Sequence, residues 1–223
     1  MKKIFFTLVI LATMSCVFSN ANAQEESSQS HRNHLYARAG FVIPVGNFAD
    51  VEHGAAANGF SVGLHYRHQF EKKRWSGILS VDFFRNGQND KVLKILQKQG
   101  VYGFEDVYMY NLPIMFGVSY DYPLSENYSV FAEGAIGLNI FWISDATIHK
   151  GIQSFTMDYG VAFSSPLRLM VGCRLYRYIN VSAGYYYFGS PTIYVETSIP
   201  DYNGGFEKCP DMGAFVFQVG VGL

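Results

Sequence analysis

The sequence predicts an all-β protein, an eight-stranded antiparallel up-and-down transmembrane β-barrel. Three observations carry that prediction. Apolar and polar residues alternate over long runs at eight places in the chain. The segments joining those runs are alternately long and short, as in barrels with short turns at one end and longer loops at the other. Only 16% of the 223 residues are charged while 17% are aromatic, against about 25% charged in a soluble globular domain.

The N-terminus stands apart. Lys2 and Lys3 precede a short apolar stretch from Ile4 to Phe18, and Ala21-Asn22-Ala23 supplies a small-x-small cleavage site before Gln24. This is the pattern of a secretory signal peptide over residues 1–23, with an apolar run too short for a membrane helix. A polar segment, residues 24–34, is expected in the periplasm, and residues 35–223 form the barrel domain.

Each strand follows from its alternation. In the first, Leu35, Ala37, Ala39, Phe41 and Ile43 alternate with Tyr36, Arg38, Gly40 and Val42. In the second, Phe60, Val62, Leu64, Tyr66, His68 and Phe70 alternate with Ser61, Gly63, His65, Arg67 and Gln69. The third sets Trp75, Leu79, Val81 and Phe83 against Ser76, Ser80 and Asp82. The fourth sets Tyr110, Leu112, Ile114, Phe116 and Val118 against Asn111, Pro113, Gly117, Ser119 and Asp121. The fifth, residues 130–142, puts Ala132, Ile136, Leu138 and Ile140 opposite Glu133, Gly137 and Asn139. The sixth, residues 155–175, puts Val161, Phe163, Leu167, Leu169 and Val171 opposite Asp158, Gly160, Ser164, Arg168 and Arg174. Residues 179–187 and 215–223 complete the set.

Most of these runs reach the roughly 9–11 residues that a tilted strand needs to cross a bilayer, beyond the usual 5–6 or so of soluble proteins. A soluble lipocalin-like barrel has an apolar interior and a polar outside. Here one face is almost purely aliphatic and aromatic, and the other carries Arg, Asp, Glu, Asn and Gly. Water cannot solvate the first face, so it is expected to point into lipid and the second into the lumen.

The long connections are residues 46–58, 86–106 and 196–212, that over 143–154 is intermediate, and the short ones are 71–74, 123–127 and 176–178. Both chain ends then fall at the short-turn, periplasmic end. Within the longest loop, Lys91-Val92-Leu93-Lys94-Ile95-Leu96 predicts a short amphipathic helix on the rim. Aromatics gather at both interfaces: Phe70, Trp75, Tyr120, Tyr122 and Tyr128 near the turns, and Phe60, Phe83, Tyr108, Tyr110, Trp142 and Phe155 near the loops.

On these residues the chain resembles the small outer-membrane β-barrel proteins of the OmpA/OmpX-like and PorT-like porin-family group. The resemblance lies in the signal peptide, in Tyr36-Ala-Arg-Ala-Gly-Phe41, in Tyr110-Asn-Leu-Pro-Ile114, and in the alternating terminus Phe215, Phe217, Val219, Val221 and Leu223. It implies an outer-membrane location, outer-membrane lipid and lipopolysaccharide as surroundings, and the barrel-insertion machinery as a partner during assembly. The terminal Leu departs from the aromatic residue usual in that group.

Parity places Arg38, Arg67, Arg168 and Arg174 in the lumen with Asp82, Asp121, Glu133 and Asp158. This is an expected ion-pair network, structural or gating in role. Chemistry of other kinds is not signalled. The His-x-Ser pair of barrel-borne lipid A deacylases does not occur, His53 and His149 are isolated, and no phosphate loop or dinucleotide fingerprint is present. No catalytic residue, metal or cofactor is therefore expected. A net charge of −1 without a basic stripe excludes a nucleic-acid binder. Cys173 and Cys209 are expected at opposite ends of the membrane, too far apart to pair. The expected function is structural or loop-mediated binding to an unidentified ligand. A small porin for ions or small solutes, and an accessory role in secretion across the outer membrane, are the alternatives.

Overall fold

Long runs of period two leave each strand with one face that must avoid water and a backbone that must find a partner on both sides. Closing the sheet on itself meets both demands, because a closed barrel has no unpaired edge. The computed structural model describes residues 33–70, 74–98, 107–125, 127–150, 153–176, 178–198 and 204–223. The unit from His34 to Leu223 is described below; the expected signal peptide and most of the polar segment lie outside the described residues.

The barrel is built from β1 (Asn33–Val45), β2 (Ala56–Gln69), β3 (Trp75–Gln88), β4 (Tyr108–Pro123), β5 (Tyr128–Ile143), β8 (Val161–Ser164), β9 (Leu167–Leu175), β10 (Ile179–Gly189) and β13 (Met212–Gly222). Strands β8 and β9 both pair with β5 and together form one stave, so there are eight staves. The order β4-β3-β2-β1-β13-β10-β9-β5 closes through the long β4–β5 ladder. The eight-stranded closed antiparallel barrel is thus present as the alternation predicts. The chain end is tied in as well, with the Leu223 N–H donating to the Leu35 carbonyl at 2.9 Å.

At the loop end the structure adds what periodicity does not assign. A second, four-stranded sheet is ordered β12-β11-β7-β6. Its members are β6 (Ala146–Lys150), β7 (Gln153–Tyr159), β11 (Thr192–Thr197) and β12 (Gly205–Lys208). Residues 143–154 and 196–212, expected as loops, therefore contribute strands. The strand β10 leaves the barrel at Gly189, whose φ of +91° suits glycine. Pro191 then cannot donate to a ladder, so β11 starts in a new direction and pairs with β7. A helix, α1 (Asp90–Lys98), occupies the expected place between β3 and β4.

Inside and outside are inverted relative to a soluble protein. Phe116 and Val171 on the outer face are 59% and 62% exposed, whereas Arg168 on the inner face is 0% exposed. The two aromatic belts are paired rings: Trp75 meets Tyr120 at 5.0 Å near the turns, and Tyr110 meets Trp142 at 5.0 Å near the loops. Phe155, expected in the loop-end belt, instead belongs to β7 of the second sheet.

Candidate functional site: the barrel lumen

Inward parity delivers the site. Arg38 from β1, His65 and Arg67 from β2, Asp82 from β3, Asp121 from β4, Glu133 from β5, and Arg168 and Arg174 from β9 are all buried. They form one continuous chain of contacts. Arg38 Nη2 lies 3.0 Å from Asp82 Oδ2, and Arg168 Nη1 approaches the same oxygen at 3.5 Å. The other end of that guanidinium, Nη2, is 3.6 Å from Glu133 Oε2. Glu133 also faces Arg174 at 3.3 Å and His65 at 3.5 Å. Arg174 and Arg67 then share Asp121 nearest the turns.

Neutral side chains fill out the hydrogen bonding. Arg168 donates to Ser80 Oγ at 2.8 Å and to the Tyr186 hydroxyl at 3.2 Å, and that hydroxyl donates to Asp82 at 3.0 Å. Gln218 Nε2 donates to Ser61 at 3.2 Å, and Arg174 lies over the Phe131 ring at 4.1 Å. Charges removed from water are tolerated only when paired and hydrogen-bonded in this way.

Asp158 is not a lumen residue, which corrects the reading from parity. Alternation predicts one continuous sixth strand over residues 155–175 and so carries lumen parity up to Asp158. The structure breaks that run at Gly160 and at Ser165-Pro166, and Asp158 sits in β7, exposed and in register with Glu196 of β11. Without it, the described barrel lumen holds four guanidiniums against three carboxylates, with His65 beside Glu133.

Toward the loops the lumen turns apolar. Phe84 packs on Tyr186 at 4.9 Å and on Phe188 at 5.0 Å, and Phe48 of the first loop covers Phe188 at 6.4 Å. Met115 and Phe141 are buried in the same cluster. Phe84 and Tyr186 are within reach of the sequence, since they share parity with Asp82 and Ser182. Phe48 is not, because it lies in a turn of 3-10 helix where no period applies.

Outside the membrane band, two carboxylates are held below their usual range. Asp211 is stabilised by the Ser190 and then the Tyr187 hydroxyl, which clamps the bend after β10. Asp50 accepts from the Glu52 backbone N–H and bonds the His53 ring at 2.9 Å. Cys209 is half-buried against the apolar cluster, and burial, reinforced by Glu207, pushes its thiol up to about 11. Cys173 lies on the lipid-facing parity of β9, and both thiols are free.

The closed antiparallel barrel fold is shared with known outer-membrane proteins. The outer membrane protein OprG from Pseudomonas aeruginosa superposes with a TM-score of 0.52 at 14% identity, over 86% of this chain and 96% of that one. The fold is that of the small outer-membrane barrels. A major outer membrane protein from Thermus thermophilus gives a TM-score of 0.51 at 11% identity, over 86% of this chain and 100% of the other. No protein-family model and no curated protein matches the chain.

Proposed function

We propose that the protein is an integral outer-membrane barrel whose closed lumen makes it a rigid post, and whose loop-end sheet serves structure or binding. The observation that carries this reading is the double filling of the lumen. Arg168 bridges Asp82 and Glu133 across the barrel, and the Phe84–Tyr186–Phe188 cluster lies above that bridge. Eight staves leave room for side chains rather than an aqueous channel, which takes about 16–18 strands. A barrel closed at two levels offers its surroundings only its ends and its lipid belt. The four-stranded sheet β12-β11-β7-β6 lies at the loop end.

The chain carries two tryptophans, Trp75 and Trp142, one in each aromatic belt. Refolding into vesicles with lipids brominated at graded depths tests the orientation of the outer face. Both indoles are expected to quench most strongly by shallow labels, and Trp replacements at Phe116 and Ile136 by deep ones. Quenching of none of the four would overturn the membrane assignment. Deletion of residues 192–208, replaced by a short turn, is expected to abolish surface binding while leaving insertion unchanged.

A further inference from the structure

The lipid-facing parity of the nine barrel strands is mostly apolar or aromatic, with His68 near the turns and one guanidinium near the loops. Among the described residues, Arg85 of β3 is the only Asp, Glu, Lys or Arg on that face. Its neighbours in register are Phe60 on β2 and Tyr110 on β4, so it sits within the loop-end aromatic belt. Its guanidinium lies over the Tyr108 ring, 3.8 Å from the centroid. The Nε atom is buried without a hydrogen-bond partner.

A cation is costly in the middle of a bilayer and tolerable near the interface, where it reaches headgroups. The ring beneath Arg85 holds the planar fork in place and leaves its outer edge to whatever lies in the headgroup layer. More positive charge follows at once. The helix α1 starts two residues after β3 ends, its base tied to the rim by the Asn89 N–H to the Ala55 carbonyl at 2.8 Å. It exposes Lys91, Lys94 and Lys98 together with Ile95. Basic side chains with an exposed aliphatic one suit an anionic lipid surface.

We infer that Arg85, cradled by Tyr108 and supported by the lysines of α1, binds the phosphate of an anionic glycolipid in the loop-side leaflet. A planar fork recognises phosphate with two parallel hydrogen bonds, and the stacked Tyr110 and Trp142 rings offer the adjoining apolar surface to its acyl chains. The inference rests on the outer-membrane reading above, because only that orientation brings a phosphorylated glycolipid to this rim.

The test uses the full mature chain folded in detergent and titrated with diphosphoryl lipid A, with bound lipid read by native mass spectrometry. Wild type is expected to hold lipid A, and Arg85→Gln to weaken it by about tenfold or more. Arg85→Lys should recover part of the loss. Arg74→Gln, which removes the cation beside Tyr120 and Tyr122 at the turn end, should change nothing. Equal binding by wild type and Arg85→Gln, with both migrating as folded barrels in unheated gels, overturns the site. Displacement of lipid A by millimolar inorganic phosphate overturns it in favour of a free-anion site. Insertion into phosphatidylcholine vesicles is scored separately, and its failure overturns the outer-membrane reading and the site with it.

Discussion

Arg168 and Asp82, 86 residues apart in the chain, meet inside the barrel with Nη1 and Oδ2 3.5 Å apart. The contact joins β9 to β3, three ladders apart around the wall through β4 and β5, so it forms only once those strands have paired and curled inward. Its partners are unequal in what depends on them. Asp82 takes two guanidiniums and the Tyr186 hydroxyl, whereas Arg168 donates through Nη1 to Ser80, Asp82 and Tyr186 and faces Glu133 with Nη2 at 3.6 Å.

Asp82→Asn is therefore expected to cost about 3–5 kcal/mol, the usual penalty for stranding a buried partner. Arg168→Met should cost less, because it leaves three guanidiniums facing three carboxylates. Urea titrations of the two variants in vesicles, followed by the loss of the folded band in unheated gels, give the order. Equal costs would mean that the excess positive charge is neutralised elsewhere.

Phe188→Ala removes a ring packed against Phe84, Tyr186 and Phe48. A loss of about 3–5 kcal/mol is expected for a fully buried Phe. Ion conduction should not follow from this change alone, since the Arg168 bridge lies beneath. It should require loss of both layers, as in Phe188→Ala combined with Arg168→Ala and Glu133→Ala. Planar-bilayer recordings of the two variants separate the contributions.

Glycines on the two faces should respond differently to a methyl group. At Gly117, on the inner face of β4, an added Cβ would collide with the Gly134 carbonyl and with Ala135. At Gly77, on the outer face of β3, it would meet only the end of the Phe70 ring, at 3.4 Å. Gly117→Ala is expected to lower refolding yield sharply and Gly77→Ala to leave it near wild type. A yield unaffected by Gly117→Ala would contradict the close approach of β4 and β5.

The Cys209 thiol supplies a pH test outside the membrane. Its titration is pushed up to about 11 by burial, against 9.0 for the free side chain. The native state favours the protonated thiol, so its contribution to stability is full below about pH 9 and is lost as pH rises through about 11. Alkylation by iodoacetamide, which needs the thiolate, should be slow at pH 8 and accelerate only toward about pH 11. In urea the same residue should accelerate near pH 9. Identical profiles in the two states would show that the loop-end cluster does not enclose Cys209.

Parity makes much of this lumen legible in the sequence. Arg38, Asp82 and Glu133 point inward because a strand with a lipid face has no other place for them. Which acid meets which base is beyond parity, since that depends on the stagger between staves. Asp158 shows where it stops: alternation survives Gly160 and Pro166 on paper, but the ladder does not. Pro166 is itself a signal against an unbroken strand. In β11, Thr192-Ile193-Tyr194-Val195-Glu196 does alternate and is within reach. The four residues of β12 are too few for any period to register.

The proposal of a filled lumen is tested most directly by single-channel recording. Wild-type protein, inserted into planar bilayers and verified as folded by its migration in unheated gels, is expected to give no steady conductance above the bare membrane. Large, steady openings that scale with the amount inserted would contradict a filled lumen and establish the barrel as a pore.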